Sequence, residues 1–148
     1  MQSADRRGSR AARIIPWVAQ GVVALILAQT LFFKFTYAPE TQVIFAERGG
    51  RPAATAVGLV ELVCVALLLI PRTAAIGALL SLLTIGGALF THLTSLGVSI
   101  PVAPGSQEKD GGVLFLLALI VALGSLVILA CRFQELPFLA RKARPDAL

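Results

Sequence analysis

Four apolar runs, residues 14–33, 53–70, 73–96 and 112–131, fill more than half of this 148-residue chain. A helix rises about 1.5 Å per residue and the hydrocarbon core of a bilayer is roughly 30 Å thick, so runs of this length are read as membrane crossings. Strands of a barrel would alternate apolar and polar residues, and Leu114-Phe115-Leu116-Leu117-Ala118-Leu119-Ile120-Val121 does not. The fold expected is therefore all-α, a four-transmembrane-helix antiparallel bundle. Composition agrees. Hydrophobic residues make up 57% and charged residues 14%, against roughly 45–50% and about 25% in soluble domains. A water-soluble globule lacks charge at this composition, and a disordered chain would be less apolar.

The formal net charge of +5 would suit nucleic acid if the basic residues formed one patch. They do not. With four crossings both termini share a side, and that side holds Arg6, Arg7, Arg10, Arg13, Arg72, Arg132, Arg141, Lys142 and Arg144. The other side holds Lys34, Arg48, Arg51 and Lys109. The bias accounts for the charge without nucleic acid and predicts both termini on the cytoplasmic face. It divides the chain into a basic segment 1–13, the bundle 14–131 and a basic tail 132–148, the tail expected to rest on the anionic inner leaflet. The first run is read as a crossing and not as a signal segment, because it ends in Phe32-Phe33-Lys34-Phe35 and not in small residues.

The connections differ in kind. Pro71-Arg72 predicts a tight turn with Thr73 as N-cap of the third crossing, and Pro52 is expected at the first position of the second. Between the first two crossings, Pro39-Glu40-Thr41 and Val43-Ile44-Phe45 followed by Gly49-Gly50 read as a short amphipathic helix stopped by glycine and lying across the bundle mouth. Asp110 is expected to cap the fourth crossing. Cys64 and Cys131 have no CxxC spacing and are expected to stay unpaired.

Ionisable groups inside a bilayer cost roughly 2.5–3.5 kcal/mol each at a helix centre, so those that persist are candidates for function. Counted from the outer end of each run, Glu61 lies roughly 12 Å deep, His92 roughly 6 Å and Lys34 near the boundary. Ser81, Thr84, Ala88, His92 and Ser95 follow one another at spacings of three and four, a single small and polar stripe on the third run. Gly58 and Cys64 flank Glu61 at one helical turn, which permits a close approach of a neighbouring helix. Gln20, Ala24, Leu27, Leu31 and Lys34 make a similar seam on the first run. The fourth run offers only Gly124 and Ser125 and is expected to supply packing. A buried carboxyl disfavours its charged form, so Glu61 is expected uncharged unless His92 or Lys34 reaches it. Lys34 itself has the length to snorkel to water. One histidine and one mid-span carboxylate fall short of a zinc site, and a lone histidine is thin support for haem. No resident metal or cofactor is encoded.

Around these residues the chain resembles the DoxX family of membrane proteins. The resemblance is carried by Phe33-Lys34-Phe35-Thr36, Pro39-Glu40, Gly58-Leu59-Val60-Glu61-Leu62, the stretch 69–79 (LIPRTAAIGAL), Thr91-His92-Leu93 and Asp110-Gly111-Gly112, and it spans residues 17–131. It implies a four-helix protein of the bacterial cytoplasmic membrane, in a family some of whose members are linked to thiosulfate:quinone oxidoreductase or to redox complexes handling thiols. On that basis the leading expectation is a quinone-linked redox subunit whose electrons come from a soluble or membrane oxidoreductase partner. Glu61 and His92 would handle protons, and Lys34, Gln29, Thr84, Thr91 and Asp110 would face a bound quinone. The alternative is a non-enzymatic membrane adaptor or assembly factor, in which the polar cluster holds the bundle or a client helix. A small transporter ranks third for want of an inverted repeat. The sequence leaves open whether the chain associates with copies of itself.

Overall fold

The computed structural model describes residues 2–136, with side chains from Ile14 onward. The described residues form five α-helices: α1 (Gln2–Thr36), α2 (Pro39–Phe45), α3 (Gly50–Leu69), α4 (Ala74–Thr91) and α5 (Val113–Arg132). A π-helical turn, His92–Leu96, extends α4. No β-strand occurs among them. Four stretches, Ile14–Thr36, Gly50–Leu69, Ala74–Leu96 and Val113–Glu135, are long and apolar enough to cross a bilayer. The long helices pack in the cyclic order α1, α3, α4, α5, each antiparallel to its neighbours. The protein is thus a multi-pass membrane protein built as an all-α four-helix bundle.

Burial follows the expected seams. Val23, Leu27, Cys64, Leu68, Ala78, Val121 and Ile128 form the centre of the core. The outer surface is equally apolar: Leu25 is 71% exposed, Leu83 and Phe90 68%, and Leu93 70%. A continuous apolar surface of this kind has no favourable state in water, and acyl chains are its natural solvent. Cys64 is buried and Cys131 exposed, and both are free thiols.

The helix ends refine the sequence reading. α3 begins at Gly50, so Pro52 is the third residue of the helix and not the first, still within the turn whose N–H groups lack intrahelical acceptors. Thr73 is the N-cap of α4 by position, but its hydroxyl donates to the Leu67 and Ile70 carbonyls at 2.9 and 3.2 Å and closes α3 instead. The amphipathic helix is present as α2, yet Gly49-Gly50 do not stop it. Gly49 has φ +88°, a left-handed conformation costly for other residues, and it starts α3. The expectation that the tail rests on a leaflet concerns mainly residues 137–148, which lie outside the described residues.

Two contacts tie the bundle at the Pro71 end. Arg132 Nη1 donates to the Pro71 carbonyl at 3.0 Å, and its guanidinium lies 5.4 Å from the Trp17 ring centre, joining α5 to α1 and to the α3–α4 turn. Beside that turn, a Cβ at Gly77 would stand 2.8 Å from Leu68 N and 3.0 Å from Leu67 C, so only glycine allows α4 this close to the α3 backbone. Gly77→Ala is expected to destabilise the detergent-solubilised protein by about 1–3 kcal/mol through overpacking. Gly86→Ala, where nothing lies within 4 Å, should be neutral or stabilising by up to about 1 kcal/mol. Thermal unfolding of the two variants checks this, and equal losses would show that the α3–α4 approach is not the constraint.

Candidate functional site

At its C-terminal end α1 closes in a Schellman turn. Ala38 N–H donates to the Phe33 carbonyl at 2.9 Å and Tyr37 N–H to the Lys34 carbonyl at 3.3 Å, with Tyr37 in the left-handed region at φ 55°. This reversal sends α2 back across the end of the bundle. Thr41, buried on α2, donates to the Phe33 carbonyl at 3.1 Å and fixes the crossing helix to α1. Beneath α2 lies a cavity of about 570 Å³, walled by α1, α3, α4 and α5, with Ile44, Phe45 and Arg48 contributed by α2 and the turn after it. That volume falls within the roughly 300–1,000 Å³ of small-molecule sites.

Glu61 and Lys34 meet in this cavity. Lys34 Nζ lies 2.9 Å from Glu61 Oε2, and Thr30 Oγ1 donates to the same oxygen at 3.0 Å. Glu61 is 4% exposed. Lys34 therefore turns inward and does not snorkel, and Glu61 has the cation that its burial calls for. The depths read from the sequence misplace the two relative to each other, because they count each helix from its own end. A Cβ at Gly58 would sit 3.5 Å from Lys34 Cβ and 3.1 Å from Phe35 Cε1, so Lys34 is level with Gly58, one turn from Glu61. α3 overshoots the end of α1, and Gly58 leaves room for the Phe35 ring at this crossing.

His92 enters from the α4 side. The residue is 5% exposed, and Nδ1 lies 2.8 Å from the Gly97 carbonyl oxygen. A carbonyl only accepts, so Nδ1 carries the proton and Nε2 is left as an acceptor in the neutral ring. Phe115 stacks edge-on against the imidazole at 5.8 Å. The π-helical turn that starts at His92 is closed by Gly97 N–H donating to the His92 carbonyl at 2.8 Å. A π-turn inserts one extra residue per turn, and beyond it the α4 stripe loses its register. Ser81 and His92 are buried and Thr84 and Ala88 half-buried, but Ser95 is exposed.

Of the residues expected at a site, Glu61, His92, Lys34, Thr84 and Thr91 line this one cavity. Thr84 and Thr91 donate their hydroxyls to the Leu80 and Gly87 carbonyls, leaving oxygen lone pairs for a ligand. Gln29 is exposed on α1 and does not line the cavity. Its neighbour Thr30 does, and the spacing was readable: Thr30 lies three residues after Leu27 and four before Lys34 on the same seam. Arg48 is the other residue that sequence reasoning missed, since a basic residue in a connecting segment looks like ordinary surface. Among the described residues no three His, Cys, Asp or Glu side chains gather as a metal site would require.

Asp110 also lies outside the cavity lining, and it organises the loop ahead of α5. Its Oδ1 accepts from Ile100 N–H at 2.8 Å, Gly112 N–H at 3.1 Å and the Ser99 hydroxyl at 3.2 Å, while Oδ2 accepts from Leu114 N–H at 3.1 Å. Partial burial opposes ionisation, but these four bonds outweigh it and hold the carboxyl below its ordinary value of 3.8. A carboxyl depressed on folding stabilises the fold above that ordinary value and loses the contribution as pH falls through the depressed one. Asp110→Ala is therefore expected to cost about 1–3 kcal/mol at neutral pH. Acid titration of unfolding stability should show a loss in the wild type that the variant lacks, and parallel curves would remove Asp110 as its source. No family model, curated protein or solved structure matches the chain.

Proposed function

We propose that this membrane protein binds a quinone in the cavity beneath α2 and moves the protons that accompany its reduction or oxidation, acting with a partner oxidoreductase in the manner of the DoxX-like proteins its sequence resembles. One observation carries the reading: a carboxylate, an ammonium and an imidazole with a free acceptor nitrogen line a single apolar-walled cavity. Quinone reduction takes two electrons and two protons. The partner supplies the electrons, and Glu61, Lys34 and His92 are the groups able to exchange protons with the head group. Apolar walls from Ile26, Val57, Leu117 and Val121 suit the ring and the start of an isoprenoid tail. The basic bias of the termini supports a cytoplasmic location for both, and the resemblance supports a bacterial cytoplasmic membrane, so the cavity would lie toward the outer leaflet.

The adaptor reading has one observation in its favour. The Thr30–Glu61–Lys34 group joins α1 to α3, which a purely structural clamp would also do. Two variants separate the readings. Glu61→Gln leaves the Lys34 ammonium without its carboxylate, a loss of about 3–5 kcal/mol when one member of a buried pair is removed. The double variant Lys34→Met with Glu61→Gln removes both charges and should recover most of that stability. With the stability recovered, quinol turnover in proteoliposomes carrying the partner should still fall by about 10²-fold or more. Full turnover by the stable double variant would leave the clamp as the function of the pair, and failure of the wild type to bind any quinone would remove the quinone reading.

A further inference from the structure

The cavity carries an imbalance of charge. Lys34 and Glu61 satisfy each other, but Arg48 lines the same cavity and has no carboxylate partner among the described residues. Its Nη1 donates to the Ile44 carbonyl at 3.0 Å, a bond that holds the side chain against α2 without neutralising it. Glu40 and Glu47, the acids of the same crossing segment, do not line the cavity. Beside the Lys34–Glu61 pair the lining therefore holds a second cation, the half-buried Arg48, with no carboxylate of its own among the described residues. A charge facing low-dielectric surroundings is stabilised by whatever counter-charge can enter.

We infer that the cavity selects a monoanionic head group through Arg48 and so binds the reduced, singly protonated form of its quinone in preference to the neutral oxidised form. The inference rests on the quinone reading and adds to it the redox state that the site favours. Two electrons from the partner oxidoreductase and one proton convert the neutral quinone to a quinol monoanion, and the second proton completes the quinol. The monoanion offers a charged oxygen to Arg48, whereas the oxidised ring offers only carbonyl dipoles. Tighter binding of the reduced form raises the potential of the bound couple, by about 30 mV for each tenfold preference in a two-electron couple, and this draws electrons from the partner.

The test uses two stable naphthoquinones of similar shape. Lawsone is ionised at neutral pH through its acidic ring hydroxyl, and menadione, with a methyl group in that place, is neutral. Calorimetric titration of the full chain in phosphatidylcholine nanodiscs, corrected with empty nanodiscs for partition into lipid, gives the affinity ratio. The wild type should bind lawsone about tenfold or more tighter than menadione. Arg48→Gln should bring the ratio close to one, and Arg48→Lys, which keeps the charge, should retain most of it. Equal affinities in the wild type would overturn the charge selection while leaving quinone binding intact. A preference that survives in Arg48→Gln would overturn the role of Arg48. Binding of neither compound would remove the quinone reading and this inference with it.

Discussion

The ion pair between Lys34 and Glu61 is the interaction on which the upper half of the bundle depends. A lone carboxylate at that depth would be a liability in lipid, and a lysine at the helix end would ordinarily reach for water. Each makes the other tolerable, and Thr30 completes the arrangement by donating to the same oxygen at 3.0 Å. The pair joins α1 to α3 beside Gly58, where a side chain would crowd the Phe35 ring. Because the two helices meet closely on this side, the open volume lies toward α4 and α5, where Thr84, Ala88, His92 and Leu117 form its far wall.

Two different forces shape the two ends. At the Pro71 end the helices approach through backbone contact at Gly77 and through the Arg132 side chain. At the α2 end the π-turn, the Schellman reversal and the overshoot of α3 each break helical regularity, and together they leave space. Glu61 and His92, both buried, line that space. Irregular backbone at membrane depth is tolerated where it lines a cavity or is covered by protein, and here α2 supplies the cover.

Much of this was legible in the sequence, for identifiable reasons. The four crossings, the seam from Gln20 to Lys34 and the inward face containing Gly58, Glu61 and Cys64 follow from helical spacing alone, because a bilayer enforces that spacing strictly. The amphipathic helix over the mouth was readable from Pro39 and the Ile44-Phe45 pair. What escaped depends on how helices sit relative to one another. Depth counted along each run cannot reveal that α3 projects past α1, so it leaves open whether Lys34 reaches Glu61. Periodicity likewise continued the α4 stripe to Ser95, because nothing in residues 92–96 announces a π-turn. Gln29 and Thr30 are adjacent polar residues, and only the rotation of α1 decides which one faces inward. Arg48 was hidden because the segment carrying it was read as a cover and not as part of the wall.

The hydrogen bond from His92 Nδ1 to the Gly97 carbonyl has a consequence for the order of events. Held in that tautomer, the neutral ring presents only a lone pair to the cavity. It can take a proton from a ligand at once, but it can give one only after being charged by another donor. To a hydroquinone the neutral ring is a base. An oxidised ring needs a proton donor, which the Lys34 ammonium in the same cavity supplies, so the two directions of turnover would begin at different residues of the lining.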